Sequence, residues 1–473
     1  MIRTRFAPSP TGYMHIGNLR TALYEYLIAR HYNGKFILRI EDTDQSRQVE
    51  GAVDIIFNTL KTAGLQYDEG PDIGGDFGPY TQSERLDIYK KFAEELVSKG
   101  KAYYCFCKNK DRRSHDQSAH EKYGRTCYRL KPDEIKLKLN AGETYVIRQL
   151  IPEGETRFLD LVYGDITINN DELEDQILIK SDGMPTYNFA NVIDDHLMEI
   201  THVLRGSEYL SSTPKYNLLY EAFCWRIPVY IHLPLIMNEQ GEKLSKRKGH
   251  GSFEDLLAMG FLPQAVINYI ALLGWSPADN QEIFSLDELA ERFDENRLNK
   301  APSVFDITKL TWMNAQYFAN MNPDDFKDLA LPVLSDSIKT VGVDLELVAG
   351  MVQPRISFLR EIPGLVDFID ALPEYTSDLY IHKKMKTNLE NSMESLKFAE
   401  TALSKLEEWS TESTHNVLVS LVKQLGIKNG QMLWPIRTAL SGKPTSPCGA
   451  AELCGLLGKE ESLRRIRKGI QLF

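Results

Sequence analysis

Read only for its apolar and polar positions, the chain changes rhythm along its length. It opens on a short strand-like run, Ile2-Arg3-Thr4-Arg5-Phe6, stopped by Pro8 and Pro10 because neither proline can donate to a ladder. Gly12 permits a sharp turn, and from His15 to Gly17 a helix begins. Its body, Asn18-Leu-Arg-Thr-Ala-Leu-Tyr-Glu-Tyr-Leu-Ile-Ala-Arg30, repeats apolar residues at helical spacing. Strand-like and helical patterns alternate through the N-terminal half, which predicts a doubly wound α/β domain. Asp87 to Gly100 reads as a helix, and Gly100 to Cys105 leads out of it. From there to about Pro185 the pattern shifts to short strands and turns. Strand-like segments at Tyr187–Ile193 and Val203–Leu204 follow. From Phe261 the chain is mostly helical, and from about Pro323 it reads as amphipathic helices.

The chain has 473 residues, enough for several domains, and 42% are hydrophobic, ample for large cores. No apolar run is long enough to span a membrane, and no charged-then-apolar secretory start is present. Six irregularly placed cysteines do not suggest a disulfide framework. The expectation is a cytoplasmic protein with no membrane partner. A net charge of −11 argues at first against nucleic acid. The field that matters to such a partner is local, however. Basic groups cluster at Lys243 to Lys248, at Lys383-Lys384-Met385-Lys386 and at Arg464-Arg465-Ile466-Arg467-Lys468. Such runs are more often solvated faces than binding patches.

The chemistry gathers at four places. A strand, a tight turn and a helix N-terminus make an anion site, with free N–H groups and the positive end of the dipole aimed at the ligand. A side chain at Gly17 would block a nucleotide's approach, and His15 can donate to phosphate oxygens as they gain charge. Gly241-Glu242-Lys243-Leu244-Ser245-Lys246-Arg247-Lys248-Gly249 reads as an exposed loop whose lysines can fold over phosphates. Arg5 and Arg205 offer the fork geometry that an anionic side chain needs. In Leu38-Arg39-Ile40-Glu41-Asp42-Thr43-Asp44, Asp42 and Asp44 read as structural. Cys105, Cys107 and Cys127 have zinc-ligand spacing, and Tyr123, His115 and His120 lie near them in sequence.

The stretch from Arg5 through Ala7-Pro8-Ser9-Pro10-Thr11-Gly12 to His15-Ile16-Gly17-Asn18, taken with Lys243-Leu244-Ser245-Lys246-Arg247, resembles the two signature motifs of class I aminoacyl-tRNA synthetases. With Arg39-Ile40-Glu41-Asp42-Thr43-Asp44 it is similar to the bacterial-type glutamyl branch. The second motif departs from the family pattern at Leu244, for Met, and Arg247, for a final Ser. Leu is close to Met in volume, and both lysines remain.

The resemblance implies a multidomain protein. An α/β Rossmann-type catalytic domain (1–80 and 186–240) would be split by an inserted α+β acceptor-end domain (81–185). The loop and an all-α stem-contact domain (241–322) and all-α anticodon-binding domains (323–473) would follow. It implies ligation of glutamate to tRNA-Glu with ATP and Mg²⁺, on the 2′ hydroxyl, with tRNA needed for the first step. It makes His15, Lys243 and Lys246 catalytic. Arg5, Tyr187 and Arg205 would bind the substrate's side-chain carboxylate, Glu41 its α-ammonium, and Ser9 and Asn191 its backbone end. Gly17, Asn18 and Glu208, with the two lysines, would bind ATP. It implies a structural Zn²⁺ on Cys105, Cys107, Tyr123 and Cys127, with either histidine as a substitute for the tyrosine, and a monomer. A neutral glutamine in place of glutamate would leave two arginines poorly compensated, at roughly 2–5 kcal/mol. The alternatives left open are an enzyme that also charges tRNA-Gln and a paralogue with another tRNA specificity. Arg355 and Arg360 are the candidates for facing the anticodon.

Overall fold

The computed structural model describes residues 1–44, 48–107, 124–244 and 251–473. They form two compact units, Met1–Leu310 and Thr311–Phe473. That division falls ahead of the 322/323 boundary expected from the sequence.

In the first unit the strands, in chain order, are β1 (Arg3–Phe6), β2 (Lys35–Leu38), β3 (Ala102–Cys105), β4 (Val146–Gln149), β5 (Glu155–Asp160), β6 (Gly164–Asn169), β7 (Ile177–Ile179), β8 (His202–Gly206), β9 (Val229–Leu233), β10 (Ile236–Met237) and β11 (Ser303–Val304). β1 and β2 run parallel, with Arg5 opposite Ile37, and the helix Ile16–His31 connects them. Gly34 closes that connection. A Cβ there would stand 2.2 Å from the carbonyl oxygen of Ile2, so only glycine lets the chain come back this close. β8 and β9 are also parallel, and Thr201 N–H donates to Arg3 O at 2.9 Å, which brings β8 alongside β1.

Within residues 81–185, where the insertion is expected, the hairpin of β5 and β6 joins the sheet in the order β6-β5-β9-β8, with Asp160 opposite Tyr230. β3, β4 and β7 form a separate antiparallel sheet, and a helix at Pro132–Asn140 interrupts the strands and turns expected there.

One expected strand is a helix. Tyr187–Leu197 is helical, with Phe189, Ala190, Val192 and Ile193 packed in the core. Those positions fit helical spacing. Asn191, Asp194 and Asp195, on the polar side of the same helix, are buried as well.

The second unit is helical among its described residues, including Pro323–Ser337, Leu389–Ser404, Thr411–Leu425, Asn429–Ser441 and Ala450–Ile470. Arg465 is 1% exposed and donates Nη1 to the carbonyls of Phe368 (2.8 Å) and Leu440 (2.7 Å). The basic run at Arg464–Lys468 is therefore not a single patch. Arg465 turns inward, and Arg464 and Arg467 pair with Glu461 and Glu400. Arg355 and Arg360 are exposed in this unit.

Candidate functional site

A cleft of about 400 Å³ opens where β1, β8 and the stretch after β9 end near the start of the helix Ile16–His31. Arg5, Ser9, His15, Gly17, Asn18, Glu41, Tyr187, Arg205, Glu208 and Lys243 all line it. Asn191 does not; it is buried on the helix Tyr187–Leu197, and its Nδ2 has no partner among the described residues. Lys246 and Tyr123, with His115 and His120, lie outside the described residues.

His15 caps the helix and reaches across the cleft at once. Its Nδ1 accepts from Gly17 N–H at 3.0 Å, which leaves Nε2 as the protonated nitrogen. Nε2 then donates to the Leu244 carbonyl at 3.0 Å, tying the helix start to the basic loop. Gly17 has a second reason to be glycine: a Cβ would lie 3.2 Å from His15 Nδ1 and crowd the ring that this bond orients. Lys243 is exposed and stands 3.8 Å from Glu208. Glu208 folds back over Gly206, where a Cβ would come within 2.0 Å of its carboxylate.

Beneath the cleft lies a set of buried charges. Arg5 donates Nε and Nη2 to Asp195 (3.0 and 3.3 Å) and Nη1 to Glu25 (3.0 Å). Arg39 donates to the same Asp195 (2.8 Å) and to Glu41 (2.9 Å). Burial opposes ionisation of Asp195, yet Arg5 and Arg39 together hold its carboxyl below the usual range. Burial wins at Glu41, where it pushes the carboxyl up to about 7 against the pull of Arg39. It also drives Glu25 well above its ordinary value. Asp42 is a bracket in this frame: its Oδ1 accepts from Ser83 N–H at 2.8 Å.

Arg205 differs from the other arginines. It is 7% exposed and donates Nε to His232 Nε2 (3.1 Å) and Nη2 to the Thr213 hydroxyl (3.0 Å). The rings of Tyr216, Tyr230 and Tyr209 surround it at 4.4 to 5.5 Å. Among the described residues no carboxylate pairs with it. Arg5 and Arg39 already have their anions, and Arg20, also buried in the cleft wall, gives its Nη donors to the carbonyls of Leu273 and Pro234. Arg205 is a buried cation there whose charge still calls for an anion.

Away from the cleft, the thiol sulfurs of Cys105, Cys107 and Cys127 lie within 4.8 Å of one another, and Cys107 and Cys127 are 3.4 Å apart. Tetrahedral zinc with bonds of about 2.3 Å sets its sulfurs roughly 3.8 Å apart, so the trio suits three corners of such a site.

Sequence reasoning missed Glu25, Asp160, Asp194, Asp195 and His232. Glu25, Asp160 and His232 are lone polar residues in apolar runs, and Asp194 and Asp195 are an acidic pair closing one; such residues, which must find buried partners, were the signal available.

Two family models match the chain: the catalytic domain of class I tRNA synthetases (E and Q) over residues 1–312, and an anticodon binding domain over 323–470. The glutamate–tRNA ligase of Clostridium tetani is 57% identical over 477 residues, covering 99% of this chain and 97% of its own. That of Clostridium botulinum (strain Eklund 17B / Type B) is 56% identical over 480 residues, covering 100% and 99%. A crystal structure of a glutamate tRNA ligase from Elizabethkingia meningosepticum in complex with its amino acid aligns with a TM-score of 0.83 at 35% identity, over 99% of both chains.

The shared carboxylate of Asp195 should be the costliest single charge to remove. Asp195→Asn leaves Arg5 and Arg39 each short of an anion. It is expected to lower stability by about 3 kcal/mol, read as a reduced midpoint in urea unfolding. An unchanged midpoint would mean that Glu25 and Glu41 suffice for both guanidiniums.

Proposed function

The chain belongs to the class I tRNA synthetases that act as glutamate–tRNA ligases, and from that premise we propose which of its residues bind and activate the amino acid. In the first step the α-carboxylate of glutamate attacks the α-phosphorus of ATP, forming glutamyl-adenylate and releasing pyrophosphate. A hydroxyl of the terminal ribose of tRNA-Glu then attacks the adenylate carbonyl, and AMP leaves.

Arg205 binds the side-chain carboxylate of glutamate, with Tyr187 and Arg5 completing the pocket. The observation that carries this reading is that Arg205 is buried in the cleft wall with no carboxylate partner among the described residues. Glu41 accepts the α-ammonium group, and Ser9 and Asn191 hold the backbone end. Gly17, Asn18 and Glu208 border the nucleotide. His15, Lys243 and Lys246 oppose the charge that builds on the phosphates as pyrophosphate departs. His15 Nε2 must leave the Leu244 carbonyl before it can donate to a phosphate oxygen, which ties its action to movement of the loop. Mg²⁺ carried in with ATP supplies further charge neutralisation. No protein side chain forms a covalent bond, so positioning and electrostatics carry the rate.

Residues 1–80 and 186–240 serve as the catalytic domain, 81–185 as the acceptor-end insertion, 241–322 as loop and stem contact, and 323–473 as anticodon reader. The protein acts as a cytoplasmic monomer; no helix among the described residues is long and apolar enough to cross a membrane.

The deciding experiment is aminoacylation with labelled glutamate, ATP-Mg²⁺ and separately purified tRNA-Glu and tRNA-Gln, with glutamine as control. Charging of tRNA-Glu alone makes this a discriminating enzyme, and charging of both a non-discriminating one. Arg205→Ala should lose glutamate charging by about a hundredfold or more. A variant that charges normally would remove Arg205 from the pocket.

Glu41 makes the site sensitive to pH. Burial lifts its carboxyl to about 7, so the fold favours the neutral acid and loses that contribution as pH rises through 7. Only the ionised form attracts an ammonium group. The KM for glutamate should therefore climb as pH falls below about 7, approaching tenfold per unit. Glu41→Gln should abolish this slope and weaken binding at pH 8; a slope that survives would exclude Glu41 as its source.

Cys105, Cys107 and Cys127, with one further donor, would hold a Zn²⁺ that fixes the end of β3 against Cys127. Metal analysis of the purified protein should find one equivalent of zinc, lost on Cys107→Ser. A metal-free protein that charges tRNA at full rate would remove the site.

A further inference from the structure

We propose that His232 and Asp160 are positioning residues for the substrate's side-chain carboxylate: the neutral imidazole of His232, locked by Asp160, aims Arg205 into the pocket without neutralising it. The proposal rests on the reading of Arg205 given above.

The sheet brings the three residues into one line. Arg205 on β8 lies directly opposite His232 on β9, and Asp160 is the last residue of β5, on the other side of β9. His232 Nδ1 is 2.7 Å from Asp160 Oδ2, and its Nε2 is 3.1 Å from Arg205 Nε. A guanidinium Nε–H can only donate, so His232 Nε2 must be the acceptor and Nδ1 must carry the proton. Asp160 fixes that tautomer. Its own place is tightly set, since Oδ2 also accepts from His232 N–H (3.1 Å) and Oδ1 accepts from Val162 and Tyr163 N–H (3.0 and 2.8 Å). The side chains of both His232 and Asp160 are fully buried.

A carboxylate in direct contact would have oriented Arg205 equally well, as Asp195 orients Arg5. It would also have satisfied the charge, leaving nothing for the substrate to complete. A neutral acceptor fixes the Nε edge and Thr213 fixes part of the other, while the net charge stays available. The anion that sets the tautomer stands one imidazole ring further away. Asp160 also ends a strand of the β5–β6 hairpin, so the insertion contributes the anchor of the amino-acid pocket.

The test uses the full chain in aminoacylation of tRNA-Glu, with KM for glutamate, KM for ATP and kcat measured for His232→Ala, His232→Gln, Asp160→Asn and Arg205→Ala. A melting curve accompanies each. In Asp160→Asn the amide nitrogen can turn toward Nδ1 and push the histidine proton to Nε2, where it opposes the Arg205 donor. His232→Ala and Asp160→Asn should raise KM for glutamate by about tenfold to a hundredfold and leave KM for ATP within about twofold. His232→Gln, whose amide oxygen can accept from Nε, should recover most of the loss. If His232→Ala does not fold, the comparison of Asp160→Asn with His232→Gln decides. Normal glutamate KM in the His232 and Asp160 variants, beside a defective Arg205→Ala, would overturn the positioning role alone. So would equal losses in every parameter with no recovery in His232→Gln. A normal Arg205→Ala would overturn the reading of Arg205 and the proposal with it.

Discussion

The site depends on how buried charge is shared out. Arg5 and Arg39 meet on Asp195, with Glu25 and Glu41 as their second carboxyl partners, at distances of 2.8 to 3.0 Å. Each guanidinium and each carboxylate would be costly to bury alone, and breaking such a set is far worse than never building it. The set therefore holds together the helices Ile16–His31 and Tyr187–Leu197, the strand β1 and the stretch that follows β2, from which its members come. Against that balanced background a buried cation without an anion, Arg205, becomes a directional feature of the cleft.

The parallel sheet makes this geometry reproducible. Arg3 and Arg5 alternate with Thr4 and Phe6 on β1, and Arg3 has its own buried anion in Glu69 at 2.8 Å. Thr201 joins the first strand to the entrance of β8, which places Arg205 across from the helix start that carries His15. The close approaches at Gly34 and Gly206 admit no side chain without disturbing backbone or carboxylate. Position here is a property of register, and register in turn is fixed by core residues on the strands that carry the site, β1, β8 and β9.

What could be read from the sequence was whatever is local. The turn after Phe6, the helix start at His15, the glycine-flanked loop and the acidic stretch at Glu41 each announce themselves within a few residues, so their place beside one cleft was foreseeable. The helix Tyr187–Leu197 was misread as a strand although Phe189, Ala190, Val192 and Ile193 fall at helical spacing, because so short an apolar run does not by itself tell a helix from a strand. Asp195, Glu25, His232 and Asp160 stand out in the sequence only as polar residues in apolar runs, and their roles were hidden for a different reason. Their meaning comes from partners 20 to 190 positions away in the chain, and only the fold supplies those partners.

The distribution of charge also refines why glutamine would be a poor substrate. A pocket with two uncompensated arginines was expected, but Arg5 faces the cleft with Asp195 and Glu25 already bound to it. On the proposal that Arg205 pairs with the substrate's side-chain carboxylate, a neutral amide in its place would leave one buried guanidinium unmatched. It also turns an N–H group toward a donor that cannot accept it. Truncating one side of a buried charged pair costs about 2–5 kcal/mol, or roughly thirtyfold to several thousandfold in affinity. One well-aimed arginine is therefore enough to separate the two amino acids, provided that nothing in the protein neutralises it first. The ring of tyrosines around Arg205 meets that condition, stabilising the cation through aromatic faces that carry no net charge.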